Sequence, residues 1–168
     1  PVSEAKMKKV VLVMCIFFAA SLVFPAVSSQ WIRWAAISPD GQQIVFSSRG
    51  DLYLVNSEGG EARLLTMHEG DEFHPVWSPD GKWISFASDR HGNLDVFLVS
   101  TAGGEAVRLT RHSSDETPYA FTQDGKHVLF GAARLDDYKH RGFPTSYLPE
   151  LYRVPAKGGR GEQVWTIA

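Results

Sequence analysis

The feature that most constrains this chain is a threefold internal repeat that occupies residues 30–168. A turn motif, Ser38-Pro39-Asp40-Gly41, recurs as Ser78-Pro79-Asp80-Gly81 and more loosely as Thr122-Gln123-Asp124-Gly125. After each copy come an alternating apolar run, an acidic residue, a second run and a pair of glycines. Tandem units of about 40–45 residues indicate a repeat architecture in which neighbouring units bury one another.

The pattern inside each unit predicts four antiparallel strands. Aromatic and β-branched residues at period two, separated by Asp-Gly and Gly-Gly pairs, are typical of hairpins. We expect three longer strands after each Asp-Gly turn and one short strand before it. The short strands are predicted at Ala36-Ile37, Val76-Trp77 and Ala120-Phe121. Central strands such as 83–86 and 96–99 should be apolar on both faces.

These elements predict an all-β fold, a partial β-propeller of three four-stranded blades preceded by a signal peptide. The predicted units are residues 30–66 for the first blade, 67–110 for the second, and 111–168 for the third, which carries an insert at 135–149. A β-sandwich is the alternative, but every turn recurs in register. All length variation lies between the second and third strands. We therefore expect these variable loops to share one face with the connections between units.

Residues 1–29 have the three parts of an export signal. Lysines surround Met7, an apolar run extends from Val10 to Phe24, and small residues follow Pro25. A membrane anchor is the alternative reading, although the run is shorter than the roughly 20 apolar residues that a span needs. Export to the periplasm or the extracellular space is therefore predicted.

A net charge of -2 gives no basic surface for nucleic acid, and one cysteine excludes a disulfide framework.

The motifs predict no catalytic, cofactor-binding or metal-binding residue. Nucleophile elbows of the form G-x-S-x-G and metal motifs of the form H-E-x-x-H are absent from the sequence. Asp in a turn bonds nearby backbone N–H groups, so a structural role is predicted for the turn residues Asp40, Gly41, Asp80, Gly81, Asp124 and Gly125. His68 and His112 occupy equivalent places and are likewise predicted to be structural.

The insert 135–149 is the best candidate for recognition of a peptide or protein. It combines aromatic and cationic side chains, a composition suited to protein contacts. The residues predicted to make these contacts are Tyr138, Lys139, His140, Arg141, Phe143 and Tyr147. The alternative is a clamp onto the next blade, which is equally compatible with a loop of this length.

The repeat, written as SPDG, a strand, D-x-Y/F-x-V, GGE and L-T, resembles the propellers of TolB and of tricorn-type proteases. The third unit, with Phe143-Pro144 and Leu148-Pro149-Glu150, is similar to a blade of secreted tricorn-like serine peptidases. The entry segment 31–41 resembles the start of the same proteins.

This resemblance implies a non-catalytic N-terminal propeller segment of an exported serine peptidase, which recognises or channels peptides for proteolysis. It also implies further blades and a downstream protease region as partners. The alternative is a TolB-like periplasmic propeller that binds proteins and is attached to no enzyme. In neither case does the resemblance place a catalytic residue or a cofactor in this chain.

Overall fold

The computed structural model describes residues 31–134 and 150–165, and within these ranges the chain forms twelve strands and no helix. The first sheet contains β1 (Ile32–Ile37), β2 (Gln43–Ser48), β3 (Asp51–Asn56) and β4 (Arg63–Leu64). The second contains β5 (Glu72–Trp77), β6 (Trp83–Ser88), β7 (Asp95–Ser100) and β8 (Val107–Arg108). The third contains β9 (Glu116–Phe121), β10 (His127–Ala132), β11 (Glu150–Pro155) and β12 (Glu162–Trp165).

Each sheet is an antiparallel meander whose strands follow one another in chain order. The first strands of the sheets lie side by side, with β1 packed against β5 and β5 against β9. This is the arrangement of propeller blades, whose first strands surround a common axis. The all-β fold with three four-stranded blades is therefore confirmed, and the sheets are called blades 1, 2 and 3 below.

The predicted strand lengths were wrong for the first strand of every blade and for the fourth strands of blades 1 and 2. The first strands β1, β5 and β9 have six residues, whereas β4 and β8 have only two. Each first strand contains a β-bulge, between Arg33 and Ala36 in blade 1 and between Phe73 and Val76 in blade 2. A bulge adds an unpaired residue and interrupts the period of two. The alternating pattern therefore did not extend across the bulge, and the residues before it were not predicted as part of a strand.

Two hydrophobic cores lie between neighbouring blades and not within any single sheet. The core between blades 1 and 2 includes Val45 and Leu54 on one side and Ile84 and Phe86 on the other. The core between blades 2 and 3 brings Val96, Leu98 and Leu109 against residues of β10 and β11. Blade 2 thus buries both faces of its central strands, as expected, except that Trp83 at the start of β6 remains 41% exposed.

The Asp-Gly turns have the same hydrogen bonds in all three blades. In blade 2, the Ser78 hydroxyl donates to Asp80 Oδ1 at 2.6 Å and accepts from the Trp83 N–H at 2.9 Å. Asp80 Oδ1 also accepts from the Lys82 N–H at 3.1 Å, and Gly81 adopts a φ of 68°. Blades 1 and 3 repeat this pattern around Asp40 and Asp124. These bonds hold the turn and lower the pKa of all three aspartates.

The variable loops and the connections between blades meet on one face, which we call the loop face. The Glu72 N–H donates to the Gly50 carbonyl, and the Glu116 N–H to the Leu94 carbonyl, both at 2.8 Å. The Asp71 N–H donates to Asp89 Oδ1, also at 2.8 Å. Each bond joins the end of an interblade connection, or the first strand residue after it, to a loop between second and third strands. The expected shared face is therefore confirmed for the described loops.

The predicted leader, 1–29, and the insert, 135–149, lie outside the described residues, so both stay predictions. Among the residues that are described, none forms a helix long and apolar enough to cross a membrane.

Candidate functional site

Blades 2 and 3 each contain a buried ion pair near the start of the first strand, which we call the Glu–Arg clasp. In blade 2, Arg90 donates to Glu72 Oε1, and in blade 3, Arg134 donates to Glu116 Oε1. Both carboxylates have no exposed side-chain surface, and both arginine side chains are 11% exposed. The glutamates begin β5 and β9, and each arginine follows the second strand of its own blade.

An aromatic pair supports the arginine of each clasp. The Arg90 guanidinium lies 4.5 Å from the ring centre of Phe97, which stacks on Phe86 at 5.7 Å. Arg134 lies 4.7 Å from the ring of Tyr152, which stacks on the ring of Phe130 at 5.5 Å. Cation–π contacts of this kind are favourable when water is excluded. The clasp is therefore part of the repeated frame.

The clasp in blade 2 also joins it to blade 1. The Thr66 hydroxyl donates to Glu72 Oε2 and accepts from the Leu52 N–H at 2.9 Å. Burial raises the pKa of Glu72 to about 7, although the Thr66 hydrogen bond and the Arg90 charge act in the opposite direction. Burial disfavours the charged form of a carboxyl group because it removes water from that group.

Blade 1 lacks this arrangement, although its aromatic pair is present. Phe46 and Tyr53 stack at 5.7 Å. Ile32, paired with Ser48, occupies the place of Glu72, which is paired with Ser88. Gly50 stands two residues after β2, where Arg90 and Arg134 stand after β6 and β10. The preceding Arg49 makes no ion pair with any residue in 31–134 or 150–165.

Arg49 instead lines a cavity of about 330 Å³ between blades 1 and 2. Arg33, in β1, also lines the cavity and likewise forms no ion pair within the described ranges, and its guanidinium lies 5.7 Å from the Trp34 ring centre. Trp34 packs edge-on against Phe73 at 5.1 Å. Asp71 and Glu72 contribute from the start of blade 2, and the exposed Trp31 stands at the entrance. The cavity therefore combines aromatic surface with two available cations.

Backbone strain is concentrated at this cavity. Four described residues other than glycine have a positive φ: Trp31 at 88°, Trp34 at 47°, Arg49 at 55° and His74 at 50°. The first three line the cavity, and the His74 ring lies 5.0 Å from the Trp34 ring. Such backbone conformations cost about 1–3 kcal/mol each and cluster at functional sites.

Gly50 completes the wall of the cavity. Its φ is 92°, and a Cβ atom at this position would lie 2.7 Å from Asp71 Oδ1. The positive φ favours glycine at this position, and a side chain here would also displace the Asp71 carboxylate from the cavity wall.

A second depression of about 760 Å³ at the rim of blade 2 is part of the frame. Of its cations, Arg90 holds Glu72, and Arg108 donates to Asp95 Oδ2 at 2.5 Å. His68 Nδ1 accepts the Gly70 N–H at 3.0 Å, and His112 Nδ1 accepts the Ser114 N–H at the same distance. These contacts agree with the structural roles expected for the two histidines.

The six residues proposed for recognition all fall in the insert, outside the described residues. Within the described part of the chain, no cluster of three or more histidine, cysteine or acidic side chains could hold a metal ion. Sequence reasoning missed the cavity entirely. Two features of the sequence could have pointed to it. The loop at Arg49 is shorter than its counterparts, and Ile32 stands where the other two units have glutamate.

Comparison with known proteins identifies the family. Residues 29–167 match the family model of the tricorn protease N-terminal β-propeller domain. The chain belongs to this family. A curated relative, the uncharacterized peptidase YuxL of Bacillus subtilis, is 39% identical over 49 residues, which is 29% of this chain. The aligned segment spans only 8% of that peptidase.

Solved structures show the same propeller architecture as this tricorn-family chain. TolB from Acinetobacter baumannii matches with a TM-score of 0.64 at 25% identity, over 79% of this chain and 31% of that protein. The tricorn protease itself matches with a TM-score of 0.57 over 74% of this chain and 13% of its own length. At 16% identity, the second likeness shows the fold alone.

Proposed function

We propose that this chain is a non-catalytic N-terminal propeller segment of an exported tricorn-like serine peptidase, in which it recognises or channels peptide substrates. The family match over residues 29–167 carries the proposal. The cavity between blades 1 and 2 supports it, because Arg33, Arg49 and the exposed Trp31 line it without taking part in the Glu–Arg clasps. The predicted signal at 1–29 supports export.

In this proposal, the loop face presents the peptide to a protease region that supplies the nucleophile. The variable loops fit this role, since recognition residues commonly lie on loops held by a rigid frame. The insert residues Tyr138, Lys139, His140, Arg141, Phe143 and Tyr147 are proposed to add contacts there. Further blades and the protease region are the proposed partners.

The experiment compares peptide lengths in the complete gene product. We expect serine-dependent hydrolysis of extended peptides, and a Phe143→Ala variant should lower kcat/KM for long peptides while leaving short chromogenic substrates unchanged. Lys157→Ala, beside the Gly158-Gly159 turn away from the loop face, is the control. Absence of serine-dependent hydrolysis in the complete protein would contradict the peptidase assignment.

A TolB-like interaction propeller is the second candidate. The similarity to TolB, with 25% identity and a TM-score of 0.64, favours it specifically. This candidate predicts stable binding of a folded protein partner by the complete gene product without any hydrolysis of that partner. The coding sequence after residue 168 distinguishes the two candidates, since only the peptidase requires a protease region there.

A further inference from the structure

We propose that the cavity between blades 1 and 2 binds an acidic side chain of an extended peptide, whose carboxylate is held by Arg33 and Arg49. This inference rests on the proposed function and names the class of peptide that the propeller selects. It begins from the departure of blade 1 from the repeat. Blade 1 has Ile32 at the place of Glu72 and Glu116, and Gly50 at the place of Arg90 and Arg134. The neighbouring Arg49 therefore belongs to no clasp and lines a cavity.

The charges in the cavity favour an anionic ligand. Glu72 is already engaged by Arg90 and by the Thr66 hydroxyl. Asp71 is therefore the one other acidic group among the lining residues, against the two guanidinium groups of Arg33 and Arg49. Guanidinium groups bind carboxylates through paired hydrogen bonds, which give both affinity and orientation.

The aromatic walls favour a side chain over a small free anion. Trp31, Trp34 and Phe73 line the same cavity, and Trp31 is 67% exposed. Aromatic surface of this kind contacts the methylene groups and backbone of a peptide. A volume of about 330 Å³ accommodates one or two side chains and not a folded domain.

Contacts with blade 2 keep these groups in place before the ligand arrives, despite the strain of positive φ values at Trp34 and Arg49. Trp34 packs edge-on against Phe73, and the carbonyl of Gly50, next to Arg49, accepts the Glu72 N–H at 2.8 Å. A site prepared in this way loses less entropy on binding. The cost of the strain is borne by the blade packing around it.

The test uses the complete gene product, with a catalytic-serine variant where hydrolysis must be prevented. The probes are two extended peptides that differ only by Glu or Gln at one internal position, with acetylated and amidated ends. We expect the Glu peptide to bind about tenfold more tightly, since a hydrogen-bonded charge contributes roughly that factor. Tryptophan fluorescence reports binding, because Trp31 and Trp34 line the cavity.

Substitutions of the two cavity arginines then test whether the preference for the Glu peptide arises in the cavity. Arg33→Met and Arg49→Met should each weaken binding of the Glu peptide about tenfold and leave the Gln peptide nearly unchanged. Arg49→Lys should restore part of the loss, because it restores the charge but not the paired geometry. Arg160→Met, an exposed arginine after the Gly158-Gly159 turn, is the matched control.

Equal binding of the two peptides, or a Glu preference unaffected by both Met variants, would overturn the inference. Binding that requires a free carboxyl terminus would also overturn it. Serine-dependent hydrolysis without acidic preference would leave the proposed function standing and remove only this inference. Conversely, selective binding of the Glu peptide without hydrolysis would support the cavity and contradict the peptidase assignment.

Discussion

Blades 1 and 2 have the same order of strands and the same Asp-Gly turns, but they differ at the place of the Glu–Arg clasp. In blade 2, Arg90 is enclosed by Glu72 and the Phe86–Phe97 pair, and it stabilises the frame. In blade 1, Ile32 and Gly50 stand at the places of the glutamate and the arginine, and the neighbouring Arg49 lines a cavity with strained walls. The comparison teaches that a repeat can point to a candidate site through the copy in which a structural contact is missing.

The largest expected effect comes from breaking the clasp in blade 2. At pH 8, where Glu72 is ionised, Arg90→Met leaves its buried carboxylate without a cation, and removing one partner of such a pair costs about 3–5 kcal/mol. Denaturant unfolding of the complete protein should show this loss. The matched variant Arg49→Met in blade 1 should change the free energy of unfolding by less than about 0.5 kcal/mol. Similar losses in the two variants would show that Arg49 also belongs to the frame.

A smaller effect should appear in the pH dependence of stability. The pKa of Glu72 is raised from 4.5 to about 7, so its protonated form is favoured by folding. The resulting stabilisation is fully present below pH 4.5 and is lost as the pH rises through 7. Relative to Glu72→Gln, the free energy of unfolding should therefore fall by up to about 3 kcal/mol over this range.

Unfolding curves of the two proteins between pH 4.5 and 8 test this dependence. If the free energy of unfolding relative to Glu72→Gln stays constant or grows with pH, Arg90 keeps Glu72 ionised throughout. Blade 1, with Ile32 in this place, contributes no such titration.

The smallest expected effect on stability comes from the Asp-Gly turns, which have the same hydrogen bonds in the blades. Ser38→Ala and Ser78→Ala each remove a hydroxyl that bonds an aspartate and a backbone N–H in the same geometry. Each should cost about 1 kcal/mol, the usual net value of such a hydrogen bond. Thermal unfolding should give equal losses for the two variants. A marked inequality would mean that blade context, and not the local turn, sets the stability of this motif.

The sequence predicted most of the fold because its signals are local. The recurring Asp-Gly and Gly-Gly pairs and the apolar runs led to three four-stranded antiparallel sheets. The prediction failed at the first strands, where bulges at Trp34 and His74 interrupt the alternation. The residue types do not predict a positive φ at a tryptophan or a histidine, because blade packing imposes this conformation against the local preference.

The candidate site was not predictable in the same way. Its walls come from β1, the β2–β3 loop and the connection to blade 2, and these segments meet only when blade 1 packs against blade 2. The sequence by itself determined the repeat, the turns and the missing glutamate, because each depends on residues a few positions apart. Only the tertiary structure decided that Arg33, Arg49 and Trp34 share one cavity, because their approach depends on the interblade core and on strain within the bulge.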